Sequence, residues 1–187
     1  MAELLIPEHA EAVIKRSPGD SDASLWVCFV CTGNTCRSPM AEAVANALSA
    51  ETAKQAAAML PESVRDCVHL PIEAVSAGLY PNIGEKIADN AVLALEQAGI
   101  EAVPQRDFHK HTAQPLTAEL AEHCDLLIGM SGSHVIEMLM HFPQAAQKII
   151  CMPKEISDPY GGDSARYRAC LQEIISGVRE LLFGENH

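Results

Sequence analysis

Leu25-Trp26-Val27-Cys28-Phe29-Val30-Cys31-Thr32-Gly33-Asn34-Thr35-Cys36-Arg37-Ser38-Pro39 is the stretch on which the fold turns. Its first half is a short, nearly unbroken apolar run, the pattern of a strand buried on both faces. Its end leads into an alanine-rich segment, Pro39 to Leu60, where Met40, Val44, Ala47 and Leu48 recur at helical spacing. Pro39 stands near the helix start, a position where its missing N–H is no loss. Between strand and helix lie Cys31 and, six positions later, Arg37. That spacing suits a loop whose backbone N–H groups converge on a bound phosphate dianion, with the guanidinium closing the ring from one side. An electropositive nest favours the thiolate of a cysteine placed in it, and the thiolate is the form that attacks. Gly33 and Asn34 are residue types that tolerate positive φ inside so tight a loop.

Working outward, strand and helix patterns alternate. Pro71 to Ser76 predicts a second strand ended by Ala77-Gly78. Ala88 to Ala98 carries a helical stripe closed by Gly99, and Leu116 to Cys124 predicts a short helix with Thr117 as N-cap. Asp125 to Met130 predicts a buried strand, His134 to His141 a helix, Lys148 to Cys151 a short strand, and Ala165 to Phe183 a closing amphipathic helix. Alternation of this kind indicates an α/β fold, a central parallel sheet of about four strands with helices on both faces. Ligands bind such sheets beyond the C-terminal ends of the strands, where the Cys31 loop falls. The first residues read apart from this pattern. Ile6 to Arg16 could form a short helix, and Ser17-Pro18-Gly19-Asp20 breaks it. The expected organisation is an N-terminal extension over 1–24 and one domain over 25–187.

Composition limits the function. A net charge of -12 argues against nucleic acid as partner, and makes any phosphate site a local positive island. No apolar stretch is long enough to span a bilayer, and the N-terminus lacks the basic and apolar regions of a signal peptide. Seven cysteines, an odd number in a chain long enough to fold without staples, favour a reducing compartment, so the cytoplasm is the expected location. Cys28, Cys31 and Cys36 superficially suggest metal-ligand spacing. Residues three apart on a strand, however, point to opposite faces, and no matching pair follows at finger spacing. No metal and no cofactor are expected. Cys28, Cys67, Cys124, Cys151 and Cys170 read as small buried hydrophobes.

The segment from Val30 to Glu42 closely resembles the signature of the low-molecular-weight protein tyrosine phosphatases, an apolar strand followed by Cys-x5-Arg-Ser. Ile156-Ser157-Asp158-Pro159-Tyr160-Gly161-Gly162 is similar to the family's Asp-Pro acid loop, with weaker agreement at Ser76-Ala77-Gly78 and at His111 before Pro115-Leu116. The resemblance runs from about Leu25 to the C-terminus, and departs from the family in the N-terminal extension and around Ala50 to His69. It implies a cysteine-dependent phosphatase acting on phosphorylated protein through a phosphocysteine. Cys31 would attack phosphorus, and Arg37 with Thr32, Gly33, Asn34, Thr35, Cys36 and Ser38 would bind the phosphoryl group. Asp158 would act as general acid and then base. Ser38 would donate to the Cys31 thiolate, Asn34, Ser76 and His111 would support the loop, and Cys36 would trap an oxidised Cys31 as a reversible disulfide.

The loop also bears on substrate. Members resembling protein arginine phosphatases carry Thr-Gly-Asn-Thr where tyrosine-specific members commonly place a bulky aliphatic residue at the second threonine. Here Thr32-Gly33-Asn34-Thr35 places a hydroxyl that suits a planar guanidinium. Tyr160 could equally line a slot for a phosphotyrosine ring. Phosphoarginine is therefore favoured over phosphotyrosine, with Thr35 and Tyr160 as selectivity positions. An arsenate reductase is a weaker alternative, since no later, closely spaced cysteine pair follows. A non-catalytic phosphoprotein-binding module is weaker too, because nucleophile and acid are both present. The oligomeric state is not legible.

Overall fold

β1 (Leu25–Cys31) is buried along its length except at Trp26. An extended chain with both faces apolar needs a strand on each side and helices above and below. In the computed structural model, which describes residues 24–59 and 71–184, it has them. β2 (Ile72–Gly78) pairs in parallel with β1 from Leu25↔Ile72 to Cys31↔Gly78. β3 (Leu126–Gly129) pairs with its other side from Val27↔Leu126 to Val30↔Gly129, and β4 (Ile149–Cys151) extends the sheet beyond β3. The result is a four-stranded parallel sheet in the order β2-β1-β3-β4. The order reverses at β1, which is where such sheets open a crevice beyond their strand ends. Cys31 is the last residue of β1.

Five α-helices follow among the described residues: α1 (Arg37–Met59), α2 (Asp89–Gln97), α3 (Ala118–His123), α4 (Gly132–His141) and α5 (Ser164–Phe183). Residues of α1, α2 and α5 share one apolar cluster with Val27, Phe29 and Cys31 of β1. Residues of α3 and α4 share a second with Cys28 and Val30. Helices thus cover both faces, and Cys28 and Cys31 do point to opposite sides of the sheet. Thr117 caps α3 by accepting from the Leu120 N–H at 3.2 Å, as expected. Cys28, Cys124 and Cys170 are buried, but Cys151 is only half-buried, because β4 is an edge strand three residues long. Cys67, the segment Ile6 to Arg16 read as a helix, and the rest of residues 1–23 lie outside the described residues. Among the described residues, no helix is long and apolar enough to cross a membrane.

Two departures from the sequence pattern bear on the site. β2 continues through Ala77 and Gly78, which read as the residues that end it, because Val30 and Cys31 pair with them. Helix α1 is not a simple amphipathic surface helix. From Arg37 to Asn46 every residue except Glu42 is buried, and exposure begins only past Ala50. Alanines at 41, 43 and 45 let the sheet, α2 and α5 approach on all sides, as a helix with small residues around its circumference permits.

Helix α1 also closes the outer edge of β2. Asn46 donates through Nδ2 to the Ala74 carbonyl at 3.0 Å and accepts the Ala74 N–H on Oδ1 at 2.9 Å. Ser49 Oγ accepts the Ile72 N–H at 2.9 Å. Gln114 donates to the Ser76 carbonyl at 3.0 Å, and its own carbonyl accepts the Gly78 N–H at 2.9 Å. An edge strand left open would be a template for another chain, and these side chains blunt it. Asn46→Ala leaves a buried N–H and a buried C=O without partners, so it should destabilise the fold by about 2–4 kcal/mol. Urea denaturation would measure this, and a loss below about 1 kcal/mol would mean that water replaces the amide.

Candidate active site

The phosphate loop is shaped by where its carbonyls go. Leu79 N–H donates to the Cys31 carbonyl at 3.0 Å, Tyr80 N–H to Thr32 at 2.9 Å, and Ala88 N–H to Thr35 at 2.9 Å. The carbonyl of Asn34 is 2.9 Å from Nε2 of His111, which donates to it. In a trans peptide the carbonyl and the following N–H point in opposite directions. Carbonyls drawn outward at four positions therefore turn the N–H groups of Thr32, Gly33, Thr35 and Cys36 inward, which makes an anion nest. Asn34 takes the left-handed conformation this requires, φ 56°, and is the one non-glycine residue with positive φ among those described. Gly78 makes room behind the loop: a β-carbon there would lie 2.9 Å from the Thr32 carbonyl oxygen and 3.2 Å from the Asn34 β-carbon.

A directed hydrogen-bond chain runs from the loop's support to the nucleophile. Gln114 N–H donates to Asn34 Oδ1 at 2.9 Å, which fixes the amide orientation. Asn34 Nδ2 then donates to Ser38 Oγ at 3.0 Å and to Ser76 Oγ at 2.9 Å. Ser76 donates onward to Glu42 at 2.6 Å. Ser38, with its acceptor side filled, has its proton for the Cys31 sulfur at 3.0 Å; the Ala77 carbonyl at 3.4 Å is the weaker alternative. The Asn34 N–H also points at that sulfur, at 3.3 Å. The structure thus brings Asn34, Ser38, Ser76 and His111 together behind the loop, where the sequence places them. It adds Gln114 and Glu42, which sequence reasoning missed as site residues. Glu42 carried a signal: it is four residues after Ser38 on one helix face.

Glu42 is a largely enclosed carboxyl, its side chain 14% exposed. Burial, only partly offset by the Ser76 hydroxyl and by Arg106, raises it to about 7. His111 Nδ1 is 3.9 Å from its Oε2. That is the limit of an ion pair, and burial, which lowers the His111 pKa, outweighs the hydrogen bond to Asn34 that raises it. We take the imidazole as neutral.

On the open side, Cys31, Thr32, Gly33, Thr35, Cys36 and Arg37 line a cavity of about 270 Å³ whose other walls include Tyr80, Asn82, Glu85, Asp158 and Tyr160. The residues at 80, 82 and 85 were not foreseen, since nothing in their local sequence marks them. Arg37 donates to Asp158 Oδ2 at 2.7 Å across the mouth, its side chain 10% exposed against 52% for the carboxylate. The Asp158 loop is anchored on its N-terminal side. Ile156 N–H donates to the Met130 carbonyl at 3.0 Å. Ser157 donates through N–H and hydroxyl to Glu173 of α5, at 2.9 and 3.1 Å. Tyr160 N–H donates to Asp158 Oδ1 at 3.1 Å, a local turn that aims the carboxylate. Tyr160 itself is 76% exposed at the rim.

Thr35 is buried, its Oγ1 3.6 Å from the Cys36 sulfur, and Cys36 also contacts the Tyr167 hydroxyl at 3.1 Å. Burial pushes the Cys36 thiol up, against hydrogen bonds from Tyr167 and Thr35 that pull it down. Among the described residues, no group of three or more His, Cys, Asp or Glu side chains is placed to hold a metal ion. Chemically, the arrangement offers a sulfur nucleophile at the floor of a nest, a guanidinium on one wall and a carboxyl at the mouth.

Two outcomes follow from this geometry. Gly78→Ala should push the loop backbone, costing about 1–3 kcal/mol of stability and weakening inorganic phosphate binding; calorimetric titration of phosphate would show unchanged affinity if the loop yields freely. Because the folded-state pKa of Glu42, about 7, lies above its unfolded value of 4.5, its contribution is full below pH 4.5 and is lost as pH rises through 7. Glu42→Gln should therefore gain stability relative to the native protein as pH rises across that window. Parallel denaturation curves at pH 5 and pH 8 test this, and a pH-independent difference would refute the burial account.

The sequence profile described as low molecular weight phosphotyrosine protein phosphatase matches residues 26–186. A protein-arginine-phosphatase of Bacillus subtilis (strain 168) is 30% identical over 162 residues, 83% of this chain and 93% of that protein. The crystal structure of a low molecular weight protein tyrosine phosphatase from T. tengcongensis superposes with a TM-score of 0.69 at 30% identity, covering 84% of this chain and 97% of the other. The arginine phosphatase YwlE, in a mutant form with a phosphorylated active-site serine, superposes at 0.66 with 28% identity, covering 83% and 92%. The family match spans most of the chain and the folds superpose, and the chain belongs to the low molecular weight phosphotyrosine protein phosphatase family.

Proposed function

We propose that this protein hydrolyses phosphoarginine on protein substrates through a phosphocysteine at Cys31. The observation that carries the substrate assignment is the buried Thr35 hydroxyl on the wall of the cavity. A guanidinium presents N–H groups that an aliphatic wall would leave unpaired, and a hydroxyl accepts one. Glu85 supports the same reading: its carboxylate lines the mouth, accepts from Asn82 Nδ2 at 3.0 Å, and suits a cationic leaving group. The arginine-phosphatase relatives point the same way. A phosphotyrosine substrate is the second reading, favoured by the exposed rings of Tyr80 and Tyr160 at the rim.

In the proposed reaction the phosphoryl dianion enters the nest and takes Arg37 from Asp158, since a bidentate guanidinium–phosphoryl pair is stronger than a half-exposed ion pair. Cys31 attacks in line; the S–P bond forms as the P–N bond breaks, and Asp158 delivers its proton to the leaving nitrogen. Asp158 then takes a proton from water as that oxygen bonds to phosphorus, and the S–P bond breaks to return the thiolate and release inorganic phosphate. Ser38 and the Asn34 N–H stabilise the thiolate at both ends of the cycle. Pro159 keeps the acid on extended backbone. Cys36 acts as the resolving thiol if Cys31 is oxidised, and the thiol form that burial favours suits a partner waiting beside the nucleophile. The catalytic domain is assigned to residues 25–187, with 1–24 as an extension, and the working compartment to the reducing cytoplasm.

The test is kcat/KM on matched phosphoarginine and phosphotyrosine peptides, with Thr35→Ile beside the native protein. The native protein should prefer phosphoarginine, and the substitution should cut that activity by about 10–100-fold while sparing or improving phosphotyrosine. Preference for phosphotyrosine at the outset would overturn the substrate assignment. Cys31→Ser should abolish turnover and keep phosphate binding, which separates an enzyme from a binding module.

A further inference from the structure

Thr32 lines the cavity, and its Oγ1 lies 3.1 Å from Nε2 of His134. His134 is buried in the first turn of α4. Its Nδ1 is 2.7 Å from Ser131 Oγ, which is in turn 2.8 Å from Ser133 Oγ. Gly129 permits this approach. A β-carbon there would stand 2.9 Å from Val135 Cγ2 and 3.2 Å from the Ser131 carbonyl oxygen, so the turn from β3 into α4 can sit this close only behind a glycine. The four polar side chains form a chain that starts on α4 and ends in the cavity.

The chain has a direction. Burial first, and the neighbouring charge of Arg37 second, lower the His134 pKa, so its ring carries a single N–H at neutral pH. A separation of 2.7 Å is the length of an O–H donor bond, and 3.1 Å that of an N–H donor. We assign Ser131 as donor to Nδ1 and Nε2–H as donor to Thr32 Oγ1, the tautomer that these lengths match and on which the proposal rests. With that acceptor position filled, the Thr32 proton is available to the cavity. In the opposite tautomer Thr32 would use its proton on Nε2 and present lone pairs to a phosphoryl oxygen, a repulsive arrangement.

We propose that His134 is a positioning residue that makes the Thr32 hydroxyl a dedicated donor to an oxygen of the bound phosphoryl group. The inference rests on the phosphatase reading of Cys31 and Arg37. It is independent of the choice between phosphoarginine and phosphotyrosine, because Thr32 meets the phosphoryl oxygens, which both substrates share. Such a donor gains strength as charge gathers on the equatorial oxygens, so it acts on turnover as well as binding.

The experiment measures inhibition by inorganic phosphate, with kcat and KM on p-nitrophenyl phosphate, for His134→Phe, Thr32→Val, the double variant and His134→Gln. His134→Phe and Thr32→Val should each raise the phosphate inhibition constant about tenfold. The double variant should be no worse than Thr32→Val alone, and His134→Gln, whose amide can donate to Thr32, should recover most of the loss. Additive losses in the double variant, or unchanged phosphate affinity in His134→Phe, overturn the proposal. Should His134→Phe fail to fold, nitrogen-15 imidazole spectra of the native protein decide the point: Nε2–H supports it and Nδ1–H refutes it. A native protein that binds phosphate but turns over neither p-nitrophenyl phosphate nor phosphoarginine peptide would fail the proposed function, and the phosphate affinities would still judge His134.

Discussion

The outward hydrogen bonding of four loop carbonyls is the constraint on which the site depends. Cys31, Thr32, Asn34 and Thr35 each give their carbonyl to a donor outside the loop, and planar trans peptides then commit the following N–H groups to the cavity. A loop of this length left to itself would have no reason to align its amides against their mutual repulsion. The donors come from the chain just past β2, from the residue ahead of α2, and from His111, so the nest exists only once those segments are docked. The edge clamps on β2 matter for the same reason. Asn46, Ser49 and Gln114 hold the strand whose end supplies Gly78, Leu79 and Tyr80. Small size at Gly78 and left-handed backbone at Asn34 are the local conditions that let the loop accept this mould.

Behind the nest, the polarity of the side-chain network is decided by one amide. Because the Gln114 N–H occupies Asn34 Oδ1, both amide protons of Asn34 are committed to Ser38 and Ser76. Ser38 accepts from Asn34 and keeps its own proton to donate, and the nearer of its two acceptors is the Cys31 sulfur. Satisfying every member matters in so buried a cluster, since a single reversed group would orphan several others. Glu42 terminates the network in a carboxyl that burial brings close to neutrality, which avoids an unpaired buried charge beside the site.

The mouth follows the opposite logic. The Arg37–Asp158 pair is half-exposed on the carboxylate side, and such pairs contribute little to stability in water. It holds the acid loop near the cavity while remaining weak enough to exchange for a dianion. The residues just before Asp158 are firmly tied, Ile156 to Met130 beyond β3 and Ser157 to α5, so exchange need not unfold the loop. Rigid floor and replaceable lid partner are thus drawn from different parts of the chain.

The sequence by itself determined the α/β alternation, the strand-loop-helix unit around Cys31, and the presence of the Asp158-Pro159 step. Those features are local: apolar periodicity marks the elements, and a nucleophile, a guanidinium and an acid must occur as particular residue types at particular spacings. Asn34, Ser38, Ser76 and His111 were legible through the family resemblance, and their contacts followed. What only the tertiary structure decided is which distant residues complete the site. Gln114, His134, Tyr80, Asn82 and Glu85 come from loops and a helix start with no period or motif of their own. Their roles arise from juxtaposition at the strand ends. The same holds for Glu42 and Asn46, which read as polar helix positions and prove to be buried anchors, because α1 is enclosed on all sides by the sheet and its companion helices. Burial of that kind depends on what packs against a segment, and a segment's own residues do not carry that information.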